Sequence, residues 1–186
     1  MSASGSSASG FALFDTAVGR CGIAWGEHGI TGVQLPQPNE AQTRTRLFQR
    51  SGGELPEVAP PPAVEHAIEG MTALLAGEKI ALEDIALDMS GLSPFNRNVY
   101  EISRTIPPGS TLTYGDIAKQ LGGVELSRDV GQALGQNPFP IVVPCHRVLA
   151  AGGKPGGFSA NGGVKTKLKM LEIEGAYVNH TPSLFD

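Results

Sequence analysis

Thr113-Tyr114-Gly115-Asp116-Ile117-Ala118-Lys119-Gln120-Leu121-Gly122-Gly123-Val124-Glu125-Leu126-Ser127-Arg128-Asp129-Val130-Gly131-Gln132-Ala133-Leu134-Gly135 decides how the second half of this chain folds. Thr113 followed three residues on by Asp116 is a capping-box start. Ile117, Ala118 and Leu121 form an apolar stripe, and Gly122 is the stop. After a short turn, Ser127 to Gly135 predicts a second helix that carries Val130, Ala133 and Leu134 inward. Two short helices joined by a Gly-containing turn make a helix-turn-helix pattern. Many helical hairpins bind nothing, so the pattern alone does not assign DNA contact. Arg128 sits in the first turn of the second helix and points outward if Val130 and Ala133 point in. That position suits a solvated surface arginine as well as a nucleic-acid contact.

Working outward, Asn137-Pro138-Phe139-Pro140 follows the helix pair and leads to the apolar run Ile141-Val142-Val143. The run predicts a short buried strand, with Pro144-Cys145-His146-Arg147-Val148 at its end. A thiol beside an imidazole is the minimal equipment for a nucleophilic sulfur, because only the thiolate attacks and imidazole can take its proton. A bare Cys-His dipeptide also suits a small buried hydrophobe next to a satisfied histidine. A Gly-rich loop from Gly152 to Gly163 comes next, then a last helix with Val164, Leu168 and Leu171 on its apolar face and Gly175 at its end. Upstream, Ser93-Pro94 starts a helix with proline at its first position, carrying Phe95, Val99 and Ile102 on one face. Pro107-Pro108-Gly109 ends that segment.

The first half reads differently. Phe11 to Asp15, Gly22 to Gly26 and Ile30 to Leu35 look like strands, with Gly26-Glu27-His28-Gly29 as a turn. Asn39 to Arg50 predicts a short helix, and Val64, Ile68, Met71 and Leu75 mark one face of another that stops near Gly77. Ile85 to Met89 is a candidate further strand. The expected fold class is α+β, with a small antiparallel sheet in the first domain and a mostly helical second domain. The boundaries are a disordered Ser/Gly/Ala-rich tail at 1–10, a first domain at 11–92 and a second at 93–186.

With 186 residues, 40% hydrophobic and 17% charged, the chain has the composition of a soluble globular protein. No apolar run approaches the length of a membrane span, and no Lys/Arg-led signal peptide opens the chain, so no membrane partner is expected. Two cysteines, Cys21 and Cys145, do not build a disulfide scaffold. A reducing cytoplasm fits them best. No metal is expected: Cys21 and His28 flank a hairpin, and His66 and His180 are scattered. The net charge of -4 divides unevenly. Residues 1–92 hold 5 Lys/Arg and 11 Asp/Glu for -6, and residues 93–186 hold 9 and 7 for +2. The half with the Cys-His pair is therefore mildly basic, which permits DNA binding without demanding it.

Taken together, Ile106-Pro107-Pro108-Gly109, Thr113-Tyr114-Gly115, Arg128-Asp129-Val130-Gly131, Asn137-Pro138, Pro144-Cys145-His146-Arg147-Val148, Gly156-Gly157-Phe158 and Glu174-Gly175 resemble the O6-alkylguanine-DNA alkyltransferases, or methylated-DNA–protein-cysteine methyltransferases. The resemblance is close from Phe95 to Gly175 and loose in the first half, which would be the family's variable ribonuclease-H-like domain. The second domain would be winged-helix or helix-turn-helix-like. The resemblance implies direct-reversal repair: irreversible transfer of an alkyl group from O6-alkylguanine, and from O4-alkylthymine, in double-stranded DNA to Cys145, in a single turnover without cofactor. It implies a monomer that binds through the minor groove.

Residue by residue, the resemblance makes His146 the proton acceptor for Cys145, through a water. Glu174 would orient His146, although the loop from Phe158 to Gly163 looks two residues longer than usual and Glu172 competes for that role. Asn137 would complete the network beside a thiol of lowered pKa. Tyr114 would give its hydroxyl proton to the leaving base, the alternative being an aromatic packed at a helix cap. Arg128, with Ser127 beside it, would contact DNA and fill the space left by the flipped base. Carbonyls of Cys145 and Val148 and the backbone N–H of Ser159 would read that base. Leu134, Pro140, Gly156 and Phe158 would shape the pocket. Phe158 stands where tyrosine is usual, Tyr100 where tryptophan is common, and Asp129 in place of a small residue. A cysteine hydrolase would also use Cys and His, but its base normally lies distant in sequence. A non-enzymatic lesion-binding protein on the same domain is the other alternative, and Cys145 argues against it.

Overall fold

The computed structural model describes residues 9–158 and 161–176. Ser159, His180 and most of the 1–10 segment lie outside them.

Strands β1 (Gly10–Thr16), β2 (Gly19–Gly26) and β3 (Gly29–Gln34) form an antiparallel sheet in that order. Phe14 pairs with Cys21, and a bulge falls between Ala24 and Trp25. Gly29 turns the second hairpin with φ 127, a region closed to most side chains, and a Cβ there would come within 2.9 Å of the Ala86 carbonyl oxygen. That close approach lets the segment around Leu87 run beside β3, where Ile30 donates to Ala86 and accepts from Asp88. The pairing amounts to one isolated bridge, Ile30 with Leu87, so the strand expected over Ile85 to Met89 does not form. Its continuation is ended by Asp88, whose carboxylate accepts from the backbone and hydroxyl of Ser90 and turns the chain away.

Helix α1 (Glu40–Ser51) starts on an Asn39 cap, whose side chain accepts from the Gln42 N–H, and ends on left-handed Gly52. Helix α2 (Pro62–Leu75) buries Val64, Ala67, Met71, Leu74 and Leu75. Helix α3 (Pro94–Arg104) is capped by Ser93 and buries Val99 and Tyr100. The Tyr100 hydroxyl donates to the Ala133 carbonyl at 2.6 Å, so this residue anchors α3 to a helix later in the chain as well as filling the core.

Strand β4 (Leu112–Thr113) precedes α4 (Tyr114–Leu121), which carries the expected capping box in full: Thr113 accepts from the Asp116 N–H and Asp116 accepts from the Thr113 N–H. Helix α5 (Ser127–Gly135) buries Val130, Ala133 and Leu134. A two-residue strand β5 (Val148–Leu149) pairs in parallel with β4, and α6 (Val164–Ile173) closes the described chain. One hydrophobic cluster runs through Ile23, Val33, Met71, Val99, Ile117, Val130 and Val143, so the sheet and both helix groups share a continuous core. The architecture is α+β. Among the described residues no helix is long and apolar enough to cross a membrane.

Two further expectations need correction. Ile141 to Val143 is a buried turn, not a strand: Val143 donates to the Phe139 carbonyl at 2.8 Å and Cys145 to the Val143 carbonyl at 2.7 Å, so these groups bond within the loop rather than to a ladder. Flanking Pro140 and Pro144 lack donors, and Ile141 takes a positive φ of 77, rare for a β-branched residue. The apolar character of the run reflects burial alone. On α6, Val164 is 38% exposed and Leu168 only partly covered, whereas Lys167, Met170 and Leu171 are buried. The inward face is thus rotated toward Lys167.

Candidate active site

Cys145 opens a single 3-10 turn, Cys145–Arg147, placed between the buried turn and β5. It keeps partial exposure at a cavity of about 330 Å³, lined among the described residues by Tyr114, Gly131, Leu134, Gly135, Cys145, Gly157 and Phe158. Elements far apart in sequence build this space: the start of α4, one face of α5, the Cys145 turn and the Gly-rich loop. Glycines on α5 leave the wall open beside Leu134. The expected pocket residues Leu134 and Phe158 line it. Pro140 is buried and does not, the Val148 side chain points into the core, and Gly156 lies behind Tyr114. Gly156 has φ 72, and a Cβ there would sit 3.0 Å from the Tyr114 hydroxyl oxygen. The position therefore needs glycine so that Tyr114 can keep its place.

Behind the thiol lies a buried charged cluster. His146 Nε2 is 2.9 Å from Glu174 Oε2, while Arg147 donates Nε to Glu174 Oε1 at 2.9 Å and Nη2 to Oε2 at 2.8 Å. A third guanidinium bond, Nη1 to the Ile106 carbonyl, spans 2.6 Å. His146 is 0%, Glu174 1% and Arg147 5% exposed. Glu172 is exposed on α6, so the choice between the two glutamates falls to Glu174, the C-cap of that helix.

Burial opposes ionisation of Glu174, but hydrogen bonds from His146 and Arg147 outweigh it and hold the carboxyl at about 2. Burial pushes His146 below its usual value against the pull of Glu174, which leaves a neutral imidazole to accept a proton. Its Nδ1 makes no hydrogen bond among the described residues. With Nε2 committed to Glu174, Nδ1 is the nitrogen free to act as base.

The thiol departs from expectation. Burial raises the Cys145 pKa, and the hydrogen bond from Asn137 together with the charges of Lys167 and Arg50 offsets this only in part. The cause is the sulfur's position at the inner end of the cavity, where protein replaces water. Asn137 is buried: its Nδ2 donates to the Val143 carbonyl at 3.0 Å and its Oδ1 accepts from the Phe139 N–H at 2.9 Å. Tyr114 is the first residue of α4, and burial raises its hydroxyl pKa, with Cys145 adding to the effect. The hydroxyl therefore stays protonated and able to donate.

Arg128 and Ser127 occupy the first turn of α5, away from the buried cluster. Arg128 is exposed, and the Ser127 hydroxyl donates to the Val124 carbonyl at 2.6 Å.

Lys167 escaped the sequence reading although it shapes the site. Its Nζ donates to the Val148 carbonyl at 2.7 Å and the Gly157 carbonyl at 3.3 Å, and it stands 5.9 Å from the ring centres of both Tyr114 and Phe158. Burial brings its pKa down to about 8, partly offset by Cys145. The available signal was spacing: Lys167 lies three residues before Met170 and four before Leu171, on the face the helix turns inward. The Val148 carbonyl, expected to face a base, is already held by this ammonium, which leaves it one lone pair.

The model of the 6-O-methylguanine DNA methyltransferase DNA-binding domain matches residues 94–176. The methylated-DNA–protein-cysteine methyltransferase of Mycolicibacterium paratuberculosis is 44% identical over 172 residues, which are 92% of this chain and 96% of that protein. A DNA base-flipping protein of Thermus thermophilus is 44% identical over 109 residues, covering 58% of this chain and 71% of that one. The crystal structure of Mycobacterium tuberculosis OGT in complex with DNA superposes with a TM-score of 0.70 at 34% identity, over 89% of this chain and 92% of the other. On this likeness along nearly its whole length, the chain belongs to the methylated-DNA–protein-cysteine methyltransferase family.

Proposed function

We propose that this protein repairs alkylated DNA directly, moving the alkyl group of O6-alkylguanine, or of O4-alkylthymine, onto its own Cys145 in a single irreversible turnover. One observation carries the reading: a cysteine lining a base-sized cavity, backed by a neutral imidazole whose second nitrogen is fixed by a buried carboxylate.

Cys145 gives its proton through an intervening water to His146 Nδ1. Sulfur attacks the saturated carbon, the carbon–O6 bond breaks, and its electron pair passes to the base. Tyr114 gives its hydroxyl proton to a ring nitrogen as that charge develops, and water returns the proton from imidazolium to the tyrosinate. A thioether and an unmodified guanine remain. Because the resting thiol is protonated, Glu174 matters most when His146 becomes cationic, and its carboxylate stabilises that transient charge.

A base stacked in a duplex cannot reach the cavity, so it flips out at a cost of about a few kcal/mol. Arg128 at the start of α5 fills the space it leaves, entering from the minor groove with Ser127 against the backbone. Readout there tolerates sequence, as a repair protein requires. Leu134 and Phe158 wall the base, while the Cys145 carbonyl and the remaining lone pair of the Val148 carbonyl read its edge. Residues 11–92 and 93–186 act as the two domains of a monomer that works in the cytoplasm without cofactor or metal.

Incubation with duplex DNA containing O6-methylguanine should add one methyl to the peptide holding Cys145, one per protein, by mass spectrometry. Cys145→Ala should abolish transfer and still bind the duplex. An unmodified Cys145 with tight lesion binding would replace this reading by that of a lesion-binding protein.

A further inference from the structure

Two cations of the first half end on the backbone of the site. Arg50, near the end of α1, donates Nη1 to the Asn137 carbonyl, while its Nε donates to the buried Gln34 Oε1 at 2.6 Å. Gln34 is itself fixed by a 3.0 Å bond from its Nε2 to the Leu35 carbonyl. Lys79, in the loop after α2, donates Nζ to the Glu174 carbonyl. A third tie has no charge: the Val33 N–H of β3 donates to the Pro138 carbonyl at 2.9 Å. Asn137 contacts the thiol, and Glu174 holds the imidazole. Each cation thus grips the main chain of one residue that acts on the reacting pair.

We propose that Arg50 and Lys79 are positioning residues, through which the first half sets the geometry of the alkyl-acceptor site and supplies part of the positive potential at its sulfur. The proposal rests on Cys145 being the alkyl acceptor.

Neutral partners matter here. The described residues give Arg50 and Lys79 no carboxylate within ion-pair distance, in contrast to Arg147 and Arg20. A guanidinium bound only to an amide and a carbonyl keeps its field uncompensated, and burial strengthens that field. The sulfur interacts electrostatically with Arg50 from α1, Tyr100 from α3, Tyr114 from α4, Asn137 from the connecting turn, and Lys167 from α6, and His146 follows it in sequence. Of these, Arg50 and Lys167 carry positive charge at neutral pH. The Arg50 contact is also mechanical. Asn137 and Cys145 both donate to the Val143 carbonyl, so holding Asn137 from outside fixes the turn that presents the thiol.

The test compares Arg50→Gln, Arg50→Lys, Lys79→Met and Lys79→Arg with the parent. Two rates are followed against pH: alkylation of Cys145 by iodoacetamide, and single-turnover methyl transfer from free O6-methylguanine, which needs no DNA. Arg50→Gln should move both profiles to higher pH and slow both reactions several-fold at neutral pH, with the deficit closing in alkali. Arg50→Lys should restore the profile. Lys79→Met, at an exposed side chain, should slow methyl transfer several-fold while leaving affinity for undamaged duplex unchanged, and Lys79→Arg should recover it. Profiles of Arg50→Gln that superpose on the parent, with Lys79→Met at the parental rate, overturn the proposal. Should Arg50→Gln not fold, a parental rate in Lys79→Met is enough to overturn it. A parent that reacts with iodoacetamide but takes no methyl from either the free base or duplex DNA containing O6-methylguanine refutes the repair reading instead, and the two failures stay distinct.

Discussion

The His146–Arg147–Glu174 cluster and the first turn of α5 are both charged, yet they are built in opposite ways. In the cluster all three residues are buried and Glu174 receives three hydrogen bonds, from one imidazole and two guanidinium nitrogens. On α5, Arg128 and Asp129 are exposed side by side. Enclosure gives the first group fixed geometry and shifted proton affinities, as a reaction requires. Exposure leaves the second free to meet a partner that comes and goes. Stability and chemistry are bound together in the cluster and separable on the helix, so substitutions in the two places should fail differently.

The largest effect belongs to Glu174→Gln. Removing one member of a buried ion pair strands the other, and the expected cost is about 3 kcal/mol of unfolding free energy by chemical denaturation. Methyl transfer should fall with it, because the imidazolium loses its counter-charge. The acid limb changes too. A carboxyl held at about 2, below its ordinary 4.5, contributes stability that is complete above about 4.5 and is lost as pH falls from there toward 2. The variant should lack that part of the acid transition. A loss under 1 kcal/mol, or an unchanged acid limb, would break the contrast between cluster and helix.

Arg128→Ala should do the reverse. Stability stays within about 0.5 kcal/mol of the parent, as for most surface changes. Transfer from duplex DNA drops about tenfold to a hundredfold, since flipping costs a few kcal/mol and each ~1.4 kcal/mol is a factor of ten. Transfer from free O6-methylguanine should hardly change. Equal losses on the two substrates would remove the proposed finger role from Arg128.

The same contrast explains what could be seen in the sequence. Helices α4 and α5 were legible because their signals are local: a Thr113/Asp116 box, a stop at Gly122 and stripes of apolar residues at helical spacing. The Cys145-His146 pair and the Glu-Gly ending were legible as a motif. Ile141 to Val143 misled because an apolar run reports burial, not hydrogen-bond pattern, and a buried turn between prolines looks the same as a buried strand. Lys167 was hidden by its residue type, since lysine is counted as polar even where its ammonium ends on two carbonyls. The thiol's raised pKa was invisible for another reason: it depends on how far protein encloses the sulfur, which a Cys-His dipeptide does not encode. Arg50 and Lys79 reach across 87 and 95 residues to single carbonyls, a placement that only the assembled fold provides.

The smallest effect sharpens the exposed side of the comparison. Asp129 lies in the first turn of α5, where a carboxylate favours the helix by about 0.3–1 kcal/mol through the unpaired N–H groups and the dipole. The same charge stands beside Arg128 and repels phosphate. Asp129→Ser should therefore pull two quantities apart. Unfolding free energy falls by a few tenths of a kcal/mol, and duplex affinity rises about two- to fivefold at low salt, the range of an exposed charge interaction. The gain should shrink as salt is added, because it is a phosphate term screened by counterions. Binding isotherms at ~50 mM and ~200 mM salt decide the matter. An affinity gain that persists undiminished at the higher salt would mean that Asp129 acts on the shape of the helix and not on the charge of the DNA.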